Sequence, residues 1–285
     1  VVLIAGRLDF LTKFHPESLL RVLAQLQANT HTNLELLVYG EAPNAAMVQA
    51  WSDGAHDIAP ALKIHWVAGQ QMELEGAVRW AADIFVSLAD NPQETFGITP
   101  LEAMAAGLPC VVSDWDGYRD TVVQPGETAD ATGFRITTRM IEGLGQEESE
   151  GLLSETMPYE LAVGRIAQGV AIDPNELTQK LDRLLSNTEM RKAMGEAGQA
   201  RVRKLFRWEV VIQQWAELLQ ELQGKRIHAQ KERATSHGND LPLWLPPSRT
   251  SFGYFASEII PADWIPAMTP SKEVETTLHQ GIMQK

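Results

Sequence analysis

The sequence contains one cysteine, no long apolar run and few basic residues. Its 285 residues include 24 lysines and arginines against 37 aspartates and glutamates, a formal net charge of −13. Nucleic-acid binding needs a basic face, so this balance argues against a nucleic-acid partner. No apolar run approaches the roughly 18 residues of a membrane-spanning helix, and no peripheral membrane contact is visible. With Cys110 alone no intrachain disulfide can form, which is typical of a reducing compartment, so we expect a cytoplasmic protein.

The rest of the composition is that of a chain with a full hydrophobic core. Hydrophobic residues make up 44% and charged residues 21%, and the length favours one or two domains. Cys110 lies within an apolar segment without a neighbouring base. We therefore interpret it as a small core residue rather than a nucleophile.

Alternating strand-like and helix-like segments predict the fold class. Six near-continuous apolar runs, typical of strands covered on both faces, are Val1–Ala5, Leu34–Tyr39, Ile64–Ala68, Asp83–Leu88, Cys110–Ser113 and Gly133–Ile136. Segments at helical spacing are Pro16–Ala28, Met72–Ala82, Pro100–Ala106, Glu176–Leu185, Glu189–Phe206 and Trp208–Leu222. This order predicts an α/β fold with a doubly wound parallel sheet and a helical C-terminal region. Ligands of such sheets bind beyond the carboxyl ends of the strands.

The loop after the first predicted strand carries two cations. Gly6 allows a sharp turn, and Arg7 and Lys13 stand just before a predicted helix N-terminus. Such a loop is a natural anion site, which a diphosphate would fit. Two solvated surface cations are the simpler interpretation, and the loop alone leaves both open.

The loop after the fourth predicted strand carries Glu94 and leads into a helix. Thr99 is well placed to cap that helix, Pro100 suits its first position, and Glu102 falls where a capping-box carboxylate belongs. As a cap alone, Glu102 would stabilise the protein by about 0.5–2 kcal/mol and have no further role.

The same stretch carries a family resemblance. From Glu94 to Pro109 the sequence reads ETFGITPLEAMAAGLP, which is E-x7-E followed by A-x-A-x-G-x-P. This resembles the signature of the retaining glycosyltransferases of family 4, in the donor-binding, C-terminal half of their GT-B fold. The GRL motif that starts at Gly6, with Lys13 after it, is similar to the first loop of that family. The resemblance is strong over residues 1–137 and weak over 173–222.

The resemblance implies a site for a nucleoside-diphosphate sugar. In such a site two cations and backbone N–H groups hold the departing diphosphate, where negative charge develops. Glu94 is expected to face hydroxyls of the donor sugar, and Glu102 to accept hydrogen bonds from the ribose, which is compatible with capping. The expected catalytic residues are Glu94, Arg7 and Lys13. The expected donor-binding residues are Gly6, Arg7, Lys13, Glu94, Phe96, Gly97, Ile98, Thr99 and Glu102. No metal or other cofactor is expected.

The resemblance also predicts the domain organisation. Residues 1–223 are expected to form the donor-binding domain, with a polar, partly flexible insertion at about 139–172. Residues 224–285 are rich in proline and aromatics, and we expect them to wrap across the surface of an amino-terminal domain. Slow hydrogen exchange around Trp244–Phe255 would indicate instead that they dock on the domain present. The chain begins on a strand without methionine, so we expect a missing upstream domain that holds a saccharide or lipid-linked acceptor. Without it, nucleotide binding but little transfer is expected.

Three other functions remain open at this point. A sugar-nucleotide epimerase of the same fold would keep the phosphate site, and a non-catalytic nucleotide-sugar binding module would keep this half without acceptor chemistry. A glycosidase would use Glu94 and Glu102 as acid and base on opposite sides of a bond, about 5–9.5 Å apart. One loop and the adjoining helix start more naturally place both on one side of a ligand.

Overall fold

The computed structural model describes residues 1–10, 12–13, 15–30, 33–69, 71–233 and 255–260, except for the side chains of residues 72 and 229–233. Its main sheet has six parallel strands in the order β3-β2-β1-β4-β5-β6. The strands are β1 Val2–Ala5, β2 Glu35–Gly40, β3 Lys63–Ala68, β4 Ile84–Ser87, β5 Cys110–Ser113 and β6 Gly133–Ile136. Strand order reverses between β1 and β4, and the crevice at such a switch point is where doubly wound sheets bind ligands.

Helices cover both faces of this sheet. They are α1 Glu17–Thr30, α2 Ala45–Ile58, α3 Glu75–Trp80, α4 Ile98–Ala105, α5 Tyr118–Thr121, α6 Gln146–Leu153, α7 Tyr159–Gln168, α8 Pro174–Ser186, α9 Thr188–Leu205 and α10 Trp208–Arg233. A 3-10 turn, Met72–Leu74, precedes α3. The predicted doubly wound α/β fold, Rossmann-like and with a helical C-terminal region, is confirmed. None of the described helices is both long enough and apolar enough to cross a membrane.

Sequence reasoning did not predict α2. This helix buries only Trp51 and Ala55, so little of its surface faces the core. Its start is fixed instead by Asn44, whose side chain accepts a hydrogen bond from the Met47 N–H at 2.9 Å.

The sheet separates two cores. Along β2, Leu36 and Val38 face one core, which α1, α2 and α8 complete, while Leu37 and Tyr39 face the other, which includes side chains of α3 and α4. Cys110 is fully buried in the second core, and burial raises the pKa of its thiol far above the usual range. This agrees with its interpretation as a core residue.

A smaller three-stranded sheet lies beside β6. Its strands are β7 Thr138–Ile141, β8 Val170–Ile172 and β9 Glu258–Ile260, in the order β8-β7-β9. The segment predicted as a polar insertion, 139–172, thus contains most of β7, both α6 and α7, and β8. Gly143 and Gly145, which suggested a loop, take positive φ values of 80° and 87° in the turn that leads into α6.

Residues 255–260, the described part of the extension beyond α10, pack on this domain. Phe255 is 2% exposed and joins Trp115 and Met140 in a small apolar cluster. Gly224, where the extension was predicted to begin, lies inside α10. Of the stretch Trp244–Phe255, where slow hydrogen exchange would indicate docking on this domain, all but Phe255 lies outside the described residues.

Candidate functional site

The loops after β1 and β4 meet at the carboxyl edge of the sheet. The Asn91 side-chain N–H donates to the backbone oxygen of Lys13 at 2.7 Å, and Asn91 is 1% exposed. The Lys13 ammonium forms an ion pair with the Glu94 carboxylate, and these side chains are only 11% and 13% exposed. Two of the predicted catalytic residues therefore lie in direct contact.

The remaining residues of the first loop lie close to this pair. Arg7 is exposed, and its guanidinium donates to the Gln93 side-chain oxygen at 2.7 Å. Gly6 has a φ of +136°, and a Cβ at this position would lie 3.6 Å from Lys13 Cε and 4.0 Å from Thr99 Cγ2. The structure thus brings the first loop, the Glu94 loop and the start of α4 together.

The start of α4 differs from the prediction. Gly97 is the N-cap residue, with a left-handed φ of +79°, and the cap has no side-chain hydrogen bond, so the prediction that Thr99 caps this helix is wrong. A Cβ on residue 97 would overlap the ring of Tyr118, which explains why a glycine stands there. The Thr99 hydroxyl oxygen is instead buried, with no hydrogen-bond partner among the described residues.

Glu102 pairs with a residue that sequence reasoning did not single out. The Arg79 guanidinium of α3 donates to Glu102 Oε2 at 2.5 Å and to Glu75 Oε1 at 3.1 Å. Arg79 is only 7% exposed. Arginine is rarely buried unless it has such partners. Nearby, burial and then the negative charge of Glu75 raise the pKa of Tyr39, at the end of β2. Glu102 therefore has a side-chain partner, Arg79, and its role is not capping alone.

Two further buried polar residues line the same loops. Burial raises the pKa of Asp90 to about 7, and its Oδ1 has no hydrogen-bond partner among the described residues. The Tyr118 hydroxyl shares a 2.7 Å hydrogen bond with Ser87 Oγ, and burial raises the pKa of this phenol, followed by the charge of Glu94. Neither residue was predicted, because each stands among other polar residues in its segment and no spacing distinguishes it.

The start of α4 has groups that could hold an anion. The first N–H groups of α4 have no partners within the helix, and a helix N-terminus carries a partial positive charge. Phe96 and Ile98, on either side of Gly97, are 44% and 65% exposed, whereas Gly97 itself is buried. Within the described part of the chain, no group of three or more His, Cys, Asp or Glu residues could hold a metal ion.

The fold is that of a Rossmann-like domain, and the candidate site lies in the crevice at its switch point. The family profile described as group 1 glycosyl transferases matches residues 1–147, more than half of the 285-residue chain. The chain belongs to this glycosyltransferase family. No curated protein sequence matched it significantly.

Solved structures share the fold at low sequence identity. Anabaena Alr3699/HepE in complex with UDP and glucose has a TM-score of 0.53 and 17% identity, over 77% of this chain and 48% of that one. A glycosyltransferase from Rickettsia africae ESF-5 has a TM-score of 0.52 and 18% identity, with the same coverage. An α,α-trehalose-phosphate synthase (UDP-forming) from Burkholderia vietnamiensis has a TM-score of 0.50 and 11% identity, over 79% of this chain and 44% of that one. The chain spans about half the length of these proteins.

Proposed function

We propose that this chain binds the donor of a retaining glycosyltransferase of family 4, a nucleoside-diphosphate sugar. A further domain would hold the saccharide or lipid-linked acceptor, and the two together would transfer the hexosyl group in the cytoplasm. The contact that carries the proposal is the ion pair of Lys13 and Glu94, which joins the loops after β1 and β4. The Anabaena HepE structure contains UDP, which supports the choice of a nucleoside-diphosphate ligand.

The diphosphate would lie against Arg7, Lys13 and the start of α4. Cleavage of a nucleotide sugar leaves negative charge on the departing phosphate, and fixed cations and N–H groups stabilise that charge without reorganising. The backbone from Phe96 to Ile98, with the buried Gly97 between two exposed residues, and the first turn at Thr99 would supply the N–H groups. Gly6 would keep the first loop close enough to take part. These donors make a bound metal unnecessary for the proposed chemistry.

The two glutamates would hold the sugars. Glu94, fixed by Lys13, would accept from hydroxyls of the donor sugar, and its negative charge would stabilise the positive charge that develops at the anomeric carbon. Glu102 would accept from the ribose hydroxyls through a carboxylate that Arg79 orients. The Glu102 side chain is 37% exposed, so a ligand can reach it. With the leaving phosphate on the same face as the incoming acceptor, retention is the expected stereochemistry.

The ion pairs argue against the glycosidase alternative. A glycosidase needs one carboxyl that stays protonated as the general acid, whereas Glu94 and Glu102 each contact a cation. An epimerase or a non-catalytic binding module would share the donor contacts. Labelled donor in the presence of acceptor and the complete enzyme separates them, since only a transferase moves the label to the acceptor.

Calorimetric titration of the chain with UDP, GDP and ADP, and with their sugars, tests the donor site. At least one nucleotide should bind, and Arg7→Ala and Glu102→Ala should each weaken it by about 1–3 kcal/mol, or roughly 5- to 150-fold. Lys225→Ala and Glu221→Ala are matched controls, because these residues form an exposed pair on α10. The proposal fails if no nucleoside diphosphate binds, or if the controls weaken binding as much. A Glu102→Ala protein with lower thermal stability but unchanged affinity would limit Glu102 to a structural role.

A further inference from the structure

Residues 255–260, here called the C-terminal strap, pack against the loop that follows β5. The rings of Phe255 and Trp115 meet edge to face, with centroids 5.6 Å apart and planes at 86°, and Trp115 is fully buried. The Phe255 carbonyl accepts hydrogen bonds from the Asp116 N–H at 3.2 Å and from the Arg119 guanidinium at 3.0 Å. One residue of the strap thus supplies both an apolar and a polar anchor.

The rest of the strap fixes the same loop from a second direction. The Ser257 hydroxyl donates to the Asp114 carboxylate, and the Ser257 N–H donates to Thr138 Oγ1 at 3.0 Å. Strand β9 then runs parallel to β7, and Glu258 forms a 2.6 Å ion pair with Arg139. The strap is therefore built into the small sheet, although about 120 residues separate it from its partners in the sequence.

The loop after β5, which the strap contacts, in turn contacts the loop after β4 through Trp115. The Trp115 indole N–H donates to the backbone oxygen of Asn91 at 3.1 Å. Asn91 in turn donates to the backbone oxygen of Lys13, whose ammonium pairs with Glu94. A continuous chain of buried contacts thus leads from Phe255 to the cation of the proposed diphosphate site.

A second contact leads from the same loop to the start of α4. Gly117 packs so tightly on the backbone of Thr95 and Phe96 that an added Cβ would overlap it. Asp116, next to Gly117, has a φ of +30°, which is strained for a residue other than glycine. Such a conformation persists only where the surroundings fix it, and here the Phe255 carbonyl holds the Asp116 N–H.

We propose that the C-terminal strap is a positioning element of the nucleotide-sugar site, with Phe255 as its key residue. It holds the loop from Asp114 to Gly117, and that loop sets the positions of Asn91, and so of Lys13, and of the backbone at Phe96. The proposal rests on the donor site described under the proposed function. It gives the C-terminal extension a role within this domain, at the donor, rather than at the acceptor.

Hydrogen exchange and UDP titration of the 285-residue chain test the strap with three variants. Phe255→Ala removes the ring, Phe255→Leu keeps most of its apolar volume, and Ile259→Ala shortens a side chain of the same strap that is 37% exposed. We expect Phe255→Ala to speed amide exchange at residues 89–96 and to weaken UDP binding about 2- to 30-fold. Phe255→Leu should restore most of both, and Ile259→Ala should change neither.

A fourth variant separates positioning from general destabilisation. Leu181→Ala truncates a fully buried residue of α8, in the core that α1, α2 and α8 complete on one face of the main sheet. It should lower the melting temperature without weakening UDP binding. If Phe255→Ala behaves like Leu181→Ala, with lower stability but unchanged affinity and unchanged exchange at 89–96, the strap has no positioning role. If the parent chain binds no nucleotide, the proposed function fails, and exchange at 89–96 still decides whether the strap positions that loop.

Discussion

Arg79 of α3 and Glu102 of α4 form an ion pair in which a buried guanidinium fixes one oxygen of a partly exposed carboxylate. The distance from Nη2 to Oε2 is 2.5 Å, and the two side chains are 9% and 37% exposed. Glu75, one turn before Arg79, accepts from the same guanidinium through its side chain and its backbone oxygen. Glu75 thus fixes the position of the Arg79 guanidinium, which in turn holds the Glu102 carboxylate in a single orientation.

Replacing Arg79 with glutamine should therefore weaken nucleotide binding through Glu102. We expect Arg79→Gln to reduce UDP affinity about 5- to 30-fold, because the unrestrained carboxylate loses its orientation toward the ribose. Arg79→Lys should recover only part of the loss, since an ammonium cannot hold two carboxylates in the same planar geometry. Calorimetric titration measures both effects.

A double-mutant cycle shows whether Arg79 acts through its partner. In a Glu102→Gln background, Arg79→Gln should have little further effect on affinity, because the carboxylate that it orients is already gone. Fully additive losses would mean that Arg79 contacts the nucleotide itself or acts by another route.

The Lys13–Glu94 pair should behave as a buried ion pair. Lys13→Met or Glu94→Gln alone should lower the free energy of unfolding by about 3–5 kcal/mol, because each leaves a nearly buried charge without its partner. The double variant should lose less than the sum of the two. Urea unfolding followed by circular dichroism provides these values, and Lys13→Met should also abolish measurable UDP binding.

The exposed pair Glu221–Lys225 on α10 is the control for this cycle, with side chains 59% and 69% exposed. Its coupling energy should be at most about 0.5 kcal/mol. Coupling of the same small size between Lys13 and Glu94 would contradict the view that their burial fixes the site.

The strands were predictable because burial on both faces leaves a mark in the sequence. The runs Cys110–Ser113 and Gly133–Ile136 appear in the structure with the predicted bounds, and the other four differ by no more than one residue at each end. Strand alternation with helices then determined the fold class. The two loops that follow β1 and β4 could be placed at one sheet edge for the same reason.

Contacts between distant segments could not be predicted in this way. Arg79 lies 23 residues before Glu102, and no local pattern connects them. Thr99 is a residue type that commonly caps helices, yet the helix starts two residues earlier, with Gly97 as its cap. The ring of Tyr118, which follows β5, leaves room only for a glycine at 97. The pairing of β9 with β7 joins segments 119 residues apart. In each case the deciding neighbour comes from another part of the chain.

Gly97 offers a test of this tertiary constraint. Gly97→Ala must place a Cβ both at a left-handed φ of +79° and against the Tyr118 ring, so we expect a clear loss of stability and of UDP binding. Gly143→Ala is the matched control, because its φ is +80° and nothing lies within 4 Å of the added Cβ. The control should lose about 1–2 kcal/mol from backbone strain alone. Equal losses in the two variants, measured by urea unfolding, would show that the Tyr118 contact is unimportant.

Asp90 should make stability fall as pH rises from 4 to 7. Burial raises its pKa from the ordinary 3.8 to about 7, against the opposing charge of Lys13. Over this window the unfolded chain releases the Asp90 proton while the folded chain keeps it, so deprotonation increasingly favours the unfolded state. Below pH 4 both states hold the proton and the contribution is fully present; above pH 7 it is lost.

Asp90→Asn removes this titration while keeping the size of the side chain. Relative to the parent, the variant should therefore gain stability between pH 4 and pH 8, by an amount on the order of 2–4 kcal/mol. Using the difference between the two proteins cancels the other titrating groups, and Asp130→Asn, at an exposed aspartate, controls for the change of net charge. A difference that stays constant from pH 4 to pH 8 would mean that Asp90 is ionised in the folded protein throughout. Its unpaired Oδ1 would then be a buried negative charge beside Lys13, competing with the diphosphate for that cation.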